Sequence, residues 1–269
     1  MLNDITFGQY LPTGSFLHKT DARTKILLLV LWIVILFLAG NFYALGACAV
    51  LVLLFMLVSK ISLKMYLRNI KAVWLVIVFT SIINALYVRT GRVLFSFWVI
   101  TVTTDGISRA LFMSLRIILL ILLSAMFTYT TKPTEITDAL ESLLSPLRLF
   151  GLKEGVHILA MTMTIALRFI PTLIDETNKI MSAQKARGAD FESGSMLRRI
   201  KAMLPILIPL LISSVRRAYE LAEAMESRCY NGAEGRTKFK TPKLGLRDAV
   251  SAVVCALALL LIILINHFC

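Results

Sequence analysis

Residues 26–59 read ILLLVLWIVILFLAGNFYALGACAVLVLLFMLVS, 34 positions without one charged side chain. As a single helix at 1.5 Å per residue the run would reach about 50 Å, well beyond a hydrocarbon core of about 30 Å. The chain therefore has to turn, and Gly40-Asn41 is the natural place. This gives two shortish spans joined by a tight turn. Working outward, Lys60, Lys64, Arg68 and Lys71 form a basic loop, and residues 72–88 make a third span. Residues 93–104, VLFSFWVITVTT, are rich in β-branched and aromatic residues and too short to cross as a helix. They read as an extended or interfacial excursion ending at Asp105-Gly106. A fourth span covers 110–130 and holds Arg116; a last one covers 249–266.

Composition agrees with a membrane protein. Hydrophobic residues make up 58% of the 269 positions and charged residues 17%. The first residues, MLNDITFGQY, have neither the basic nor the apolar part of a signal peptide, so the chain is expected to enter the membrane by its own helices. The net charge of +13 would suggest nucleic acid in a soluble protein. In an apolar one it reads as basic loops facing anionic lipid, and nucleic acid is set aside. Cys48, Cys229, Cys255 and Cys269 form no C-x-x-C pair, and the three histidines are far apart in sequence. No metal site is expected.

Residues 131–248 differ in kind. They carry 18 Lys and Arg against 13 Asp and Glu, and their uncharged runs are short: 13 residues at 155–167 before Arg168, and 13 at 203–215 before Arg216-Arg217. Runs of that length suit buried or interfacial helices better than spans. The expected organisation is an N-terminal membrane subdomain at 1–130 with four spans, a water-facing cytoplasmic subdomain at 131–248, and a final span within 249–269. With four spans before Thr131, the N-terminus, the 60–71 loop and the 131–248 region share one side. That side is the basic, cytoplasmic one, leaving the C-terminus outside.

Three helices are expected within 131–248. A short one starts at Pro133, with acids in its first turn, and stops near Ser145-Pro146. A long one runs from Lys153 to Arg187, with Gly188 as its stop, and a second from Ser195 to Arg228, with a stop at Asn231-Gly232. Their ends carry related sequences, AQKARG at 183–188 and AMESRC at 224–229, both Ala-x-x-small-Arg-small. Two readings are open. Arg at a helix C-terminus complements the macrodipole. Alternatively, small flanks let the helix end approach another protein with the guanidinium free to bind carboxylates or carbonyls. Arg116 within a span is either bonded to backbone carbonyls or a contact for a membrane partner. Arg168 is expected to pair with Asp175 or Glu176 on its own helix. Met161, Met163 and Met203 read singly as core filling, and together as a soft contact surface.

These residues carry a resemblance. GQYLPTGSFLHKTDARTK (8–25), TTKPTEITDALESLLSPL (130–147), ALRFIPTLIDE (166–176) and AQKARGADFE (183–192) resemble the transmembrane T component of energy-coupling factor (ECF) transporters, the EcfT/CbiQ type. That family carries Ala-Arg-Gly at the ends of two coupling helices. Ala186, Arg187 and Gly188 match; Ser227, Arg228 and Cys229 keep the arginine and small flanks only. The resemblance implies an all-α membrane protein of five transmembrane helices, with a cytoplasmic-face coupling region of two long helices and one short one. It further implies two ATP-binding-cassette (ABC) ATPase subunits, each receiving one helix end, and a small membrane S component that binds a vitamin or metal ion. The sequence has no G-x-x-x-x-G-K-[ST] loop, so ATP would be bound by the partners, with no cofactor on this chain and no enzymatic role. The location implied is the plasma membrane of a prokaryote. The alternative is a conventional ABC permease with its own substrate path, against which the nearly uncharged spans speak.

Overall fold

A computed structural model of the chain describes residues 10–97, 100–146, 153–189, 191, 195–232 and 245–268. Among these are eight α-helices: α1 (Ala22–Leu38), α2 (Phe42–Ser59), α3 (Leu63–Tyr87), α4 (Thr104–Thr130), α5 (Pro133–Leu143), α6 (Lys153–Ala186), α7 (Met196–Glu226) and α8 (Leu246–Phe268). The protein is an all-α membrane protein. The turn at Gly40-Asn41 falls between α1 and α2 as the length argument requires. The expected excursion is an antiparallel hairpin of β1 (Val93–Phe97) and β2 (Ile100–Thr103), its backbone donors and acceptors paired across the ribbon. Compact packing divides the chain into two units, residues 8–136 with 241–269, and residues 137–240, each described separately below.

Helix boundaries correct one expectation. The basic stretch 60–71 is not a loop: only Lys60, left-handed at φ 55°, caps α2, while Lys64, Arg68 and Lys71 lie on the first turns of α3. Lys and Arg are good helix formers, and α3 simply begins before its apolar part does. By length and composition alone, five helical segments are long and apolar enough to cross a membrane: α2, α3, α4, α8 and residues 155–186 of α6. The first span of the sequence reading, α1, has 17 residues, at the lower limit for crossing. Helix α6 joins the set because it runs unbroken through Arg168 and Pro171, combining apolar stretches that are short when counted separately.

The core of the first unit is built by α1, α2, α4 and α8. Trp32, Ile35 and Leu36 of α1 meet Leu45, Cys48 and Val52 of α2, Leu119 and Leu123 of α4, and Cys255 and Ile262 of α8. In lipid the apolar surface gains little by facing protein rather than acyl chains. Close approach matters more, and Ala39, Ala44, Cys48, Ala125, Cys255 and Ala258 permit it. Gly106, at the start of α4, is required by contact: a Cβ there would lie 2.7 Å from the Ala85 carbonyl oxygen of α3.

Polar groups pin the ends of these helices. Asp21 caps α1 by accepting from the Arg23 N–H at 3.0 Å. The buried Asp248 of α8 accepts from the Asp21 N–H and the Gly245 N–H, both at 2.8 Å. The buried Lys25 donates through Nζ to the Thr130 carbonyl at 2.9 Å. Arg116, halfway along α4, resolves in favour of backbone binding: its Nη2 donates to the Ala39 carbonyl at the end of α1 at 2.5 Å. The guanidinium also lies 4.8 Å from the Phe112 ring centre and 5.8 Å from that of Phe37.

Ahead of α1, His18 sits on a short 3-10 helix (Phe16–Lys19). Nε2 donates to the Leu11 carbonyl at 2.6 Å, and Nδ1 lies 2.7 Å from the Ser15 hydroxyl. Burial lowers its pKa below the ordinary 6.5, with the Leu11 bond opposing in part. The unfolded chain then takes up this proton more readily than the native one, so native stability is favoured above the ordinary imidazole value and falls as pH drops through it. Thermal unfolding followed from pH 7.5 down to pH 5.5 should show a decline that His18→Gln flattens; equal slopes would rule this out.

Candidate functional site

The second unit contains α6 and α7 and the C-terminal part of α5. Apart from Thr137 and Ala139 of α5, its buried side chains among the described residues are few: Val156, Ala160 and Ile206. Helices α6 and α7 pack antiparallel. Glu176 of α6 accepts from Arg217 Nη2 of α7 at 3.2 Å. Tyr230, just past α7, returns to the other end of α6, its hydroxyl 3.0 Å from Met161 Sδ and 3.4 Å from His157 Nε2. His157 in turn lies 3.9 Å from a Glu141 carboxylate oxygen of α5.

Arg168 therefore does not play its expected part. It is exposed and forms no ion pair among the described residues, and Glu176 pairs instead with Arg217 across the helix interface. A within-helix pairing seven or eight residues apart asks both side chains to reach along about 11 Å of axis, whereas Arg217 faces Glu176 directly.

The two arginine motifs have one backbone design. At the end of α6 the Ala189 N–H donates to the Gln184 carbonyl at 3.0 Å, and the Gly188 N–H to the Lys185 carbonyl at 3.0 Å. At the end of α7 the Tyr230 N–H donates to Met225 at 3.0 Å, and the Cys229 N–H to Glu226 at 2.9 Å. Each pair of bonds is a Schellman closure. The residue that must turn left-handed is Gly188 in the first, φ 85°, and Cys229 in the second, φ 56°. Arg187 and Arg228 occupy the same position, the last before the left-handed residue. The second motif departs in sequence but not in shape, and it closes at Cys229, ahead of the expected stop at Asn231-Gly232.

This geometry weighs on the two readings. The terminal carbonyls are satisfied by backbone N–H groups, so neither arginine side chain is needed to bond them. Both guanidinium groups are exposed, as are Ala186, Gly188, Ser227 and Cys229. Because α6 and α7 are antiparallel, the two ends point apart. Counting in opposite directions from the level of the Glu176–Arg217 pair, eleven residues to Arg187 and eleven to Arg228, the arginines lie about 35 Å from one another. The Met set splits: Met161 is tied to Tyr230, whereas Met163 and Met203 are exposed. The exposed line on α7 also includes Leu207, Leu211 and Tyr219. Asp190 and Glu192, which follow the first motif, fall outside the described residues.

Sequence reading missed Tyr230, His157, Glu141 and the Glu176–Arg217 pair. A signal for the first existed, since the position after the left-handed residue of a Schellman end commonly packs back on its helix.

A non-glycine residue in the left-handed region is held at a cost of about 1 kcal/mol. Cys229→Gly should therefore slow amide exchange in the last turn of α7 about fivefold, and Gly188→Ala should speed it in α6 by a similar factor. Unchanged exchange in both would show that neither turn is strained.

Comparison with known proteins fits this arrangement. The family model described as cobalt transport protein, CbiQ, matches residues 13–239. The energy-coupling factor transporter transmembrane protein EcfT of Acidaminococcus fermentans is 48% identical over 254 residues, 94% of each chain. The protein of that name from Ruminiclostridium cellulolyticum is 43% identical over 267 residues, 99% of each chain. The one from Bacillus subtilis is 40% identical over 240 residues, 89% of this chain and 90% of its own. A full-length match to multi-pass transporter subunits, on a chain with these apolar helices and paired arginine ends, places it: this protein belongs to the CbiQ/EcfT family, the transmembrane T components of ECF transporters.

Proposed function

We propose that this T component couples two ABC ATPase subunits to a substrate-binding S component for uptake of a micronutrient, a vitamin or metal ion. Residues 131–248 act as the coupling subdomain on the cytoplasmic face, the N-terminus lies on the same side and the C-terminus outside. Arg187, with Ala186 and Gly188, enters one ATPase; Arg228, with Ser227 and Cys229, enters the other. The single observation carrying this is that both helix ends present an exposed arginine, with no side-chain bond among the described residues, from an identical backbone closure. Two equal plugs about 35 Å apart suit two related sockets better than one.

The mechanism follows from stiffness. Glu176–Arg217 and the Tyr230 contacts tie α6 and α7 together, so a displacement imposed at either arginine is passed along the helices. The unpartnered apolar side chains, Met163 and Met203 among them, form the surface on which an S component can settle and turn. This chain supplies no cofactor site and no chemistry of its own; ATP is bound by the partners. A permease with its own path is less well supported, because the arginine halfway along α4, Arg116, is occupied by the Ala39 carbonyl.

The test is purification of the tagged chain from its own membranes in mild detergent. Two ATP-binding-cassette subunits and a small membrane protein should come with it, and the recovered complex should hydrolyse ATP. A chain recovered without ATPases, or one that binds substrate alone, overturns the proposal.

A further inference from the structure

Helix α3 is held to the rest of its own unit by one side only. Tyr66, buried, reaches the Ser59 hydroxyl at 3.1 Å and meets the Tyr129 ring edge-on at 5.8 Å. It is the one fully buried residue on a helix of 25. Tyr66 fixes the helix rotation, and residues about 200° around the axis from it, beginning with Lys64, point directly away.

That outward line has an ordered chemistry. Lys64, Arg68 and Lys71 follow one another at spacings of four and three, and all are exposed. The same line continues as Leu75, Phe79 and Ile82, which are 65%, 63% and 52% exposed. Trp74, 56% exposed, sits one turn past Lys71, where charge gives way to hydrocarbon. No Asp or Glu occurs anywhere from residue 22 to residue 104, and none of the three cations forms an ion pair among the described residues.

We infer that this line is a binding site for an anionic phospholipid, with the headgroup phosphate on Lys64, Arg68 and Lys71 and an acyl chain along Leu75, Phe79 and Ile82. The lengths agree. Seven residues of cations cover about 10 Å of helix, the depth of a headgroup region with room for side chains to reach outward. The apolar line that follows enters the half-core, about 15 Å deep, in which one acyl chain lies. Three like charges without an acid on an outward face are mutually repulsive, and a bound phosphate relieves this. A protein partner on the same face would have to cover the cations with acids and the lower turns with apolar groups at once; a phospholipid has that order built in. The inference rests on the membrane-spanning character of α3 and not on the ATPase proposal.

Trp74 provides the probe. The full chain is reconstituted in vesicles of phosphatidylcholine and phosphatidylglycerol, with one or the other brominated, and the quenching lost in Trp74→Phe is taken as that of Trp74. The wild type should prefer the anionic lipid at Trp74 by about fivefold, what one surface cation contributes near an anionic leaflet. The preference should shrink as salt is raised. In Lys64→Gln/Arg68→Gln/Lys71→Gln it should fall below about twofold, while phosphatidylcholine still quenches, showing that the helix remains inserted. An equal preference in the triple variant, or no preference in the wild type, overturns the inference. So does a Trp74 that neither lipid quenches, which would mean that protein covers this face.

Discussion

Replacing Arg187 and Arg228 together by glutamate will release the ATPases and abolish ATP-driven uptake, while the T component itself stays folded. In the proposed docking each arginine is seated in a socket, the kind of anchor whose loss removes at least about 2 kcal/mol of binding, or about thirtyfold in affinity. The ends lie far enough apart for losses to add, giving about a thousandfold for the pair. Charge reversal deepens this wherever the socket supplies carboxylates. Folding is spared because the Schellman bonds at both ends run between backbone atoms of residues 184–189 and 225–230. A glutamate near a helix C-terminus opposes the dipole by no more than about 1 kcal/mol. Co-purification after detergent extraction reads the result directly. Single variants sharpen it: Arg228→Glu should be as damaging as Arg187→Glu, because Cys229 turns the second end as Gly188 turns the first. Retained ATPase in the double variant would reduce both arginines to helix-end charges and sink their docking role.

How legible this was depended on whether the deciding interaction is local. The turn at Gly40-Asn41 follows from chain length against bilayer thickness, and the extents of α5, α6 and α7 from Pro, Gly and charge near their ends. These are properties of a few neighbouring residues. The equivalence of the two arginine ends was only half visible. Sequence showed Arg228 in small company, but that Cys229 takes the left-handed role is a backbone matter, and the sequence pattern points more readily to Gly232. Glu176 was visible as a partner seeking a cation, yet the choice of Arg217 over Arg168 is made by how α6 meets α7, 41 residues apart in the chain. The basic run at 60–71 misled because charge was taken to end a helix, whereas charge only ends its stay in the membrane. Arg116 could be flagged as costly from sequence; its partner, the Ala39 carbonyl 77 positions away, could not.

Asp248→Ala should be the most damaging single change for the stability of the membrane unit. Its carboxylate is buried and takes two backbone hydrogen bonds, from Asp21 and Gly245, fastening the start of α8 to the start of α1. Alanine leaves both N–H groups without that acceptor, at about 1 kcal/mol or more each. It also removes one of the carboxylates whose charge balances Lys25, the others being Glu135 and Asp21. A buried ammonium that loses a counter-charge adds a further penalty, and the whole comes to about 3 kcal/mol. Asp248→Asn should fall between, since one amide oxygen can still accept while the amide nitrogen faces a second donor. The charge contribution separates by a cycle: if Lys25 and Asp248 are coupled, Lys25→Met combined with Asp248→Ala will be less destabilising than the sum of the two. Thermal unfolding of the detergent-solubilised chain measures all four variants. Additive effects would leave the two N–H bonds as the sole reason for an acid at this position; a near-neutral Asp248→Ala would show that the α1–α8 junction is held by Cys255, Ala258 and Ile262 packing without it.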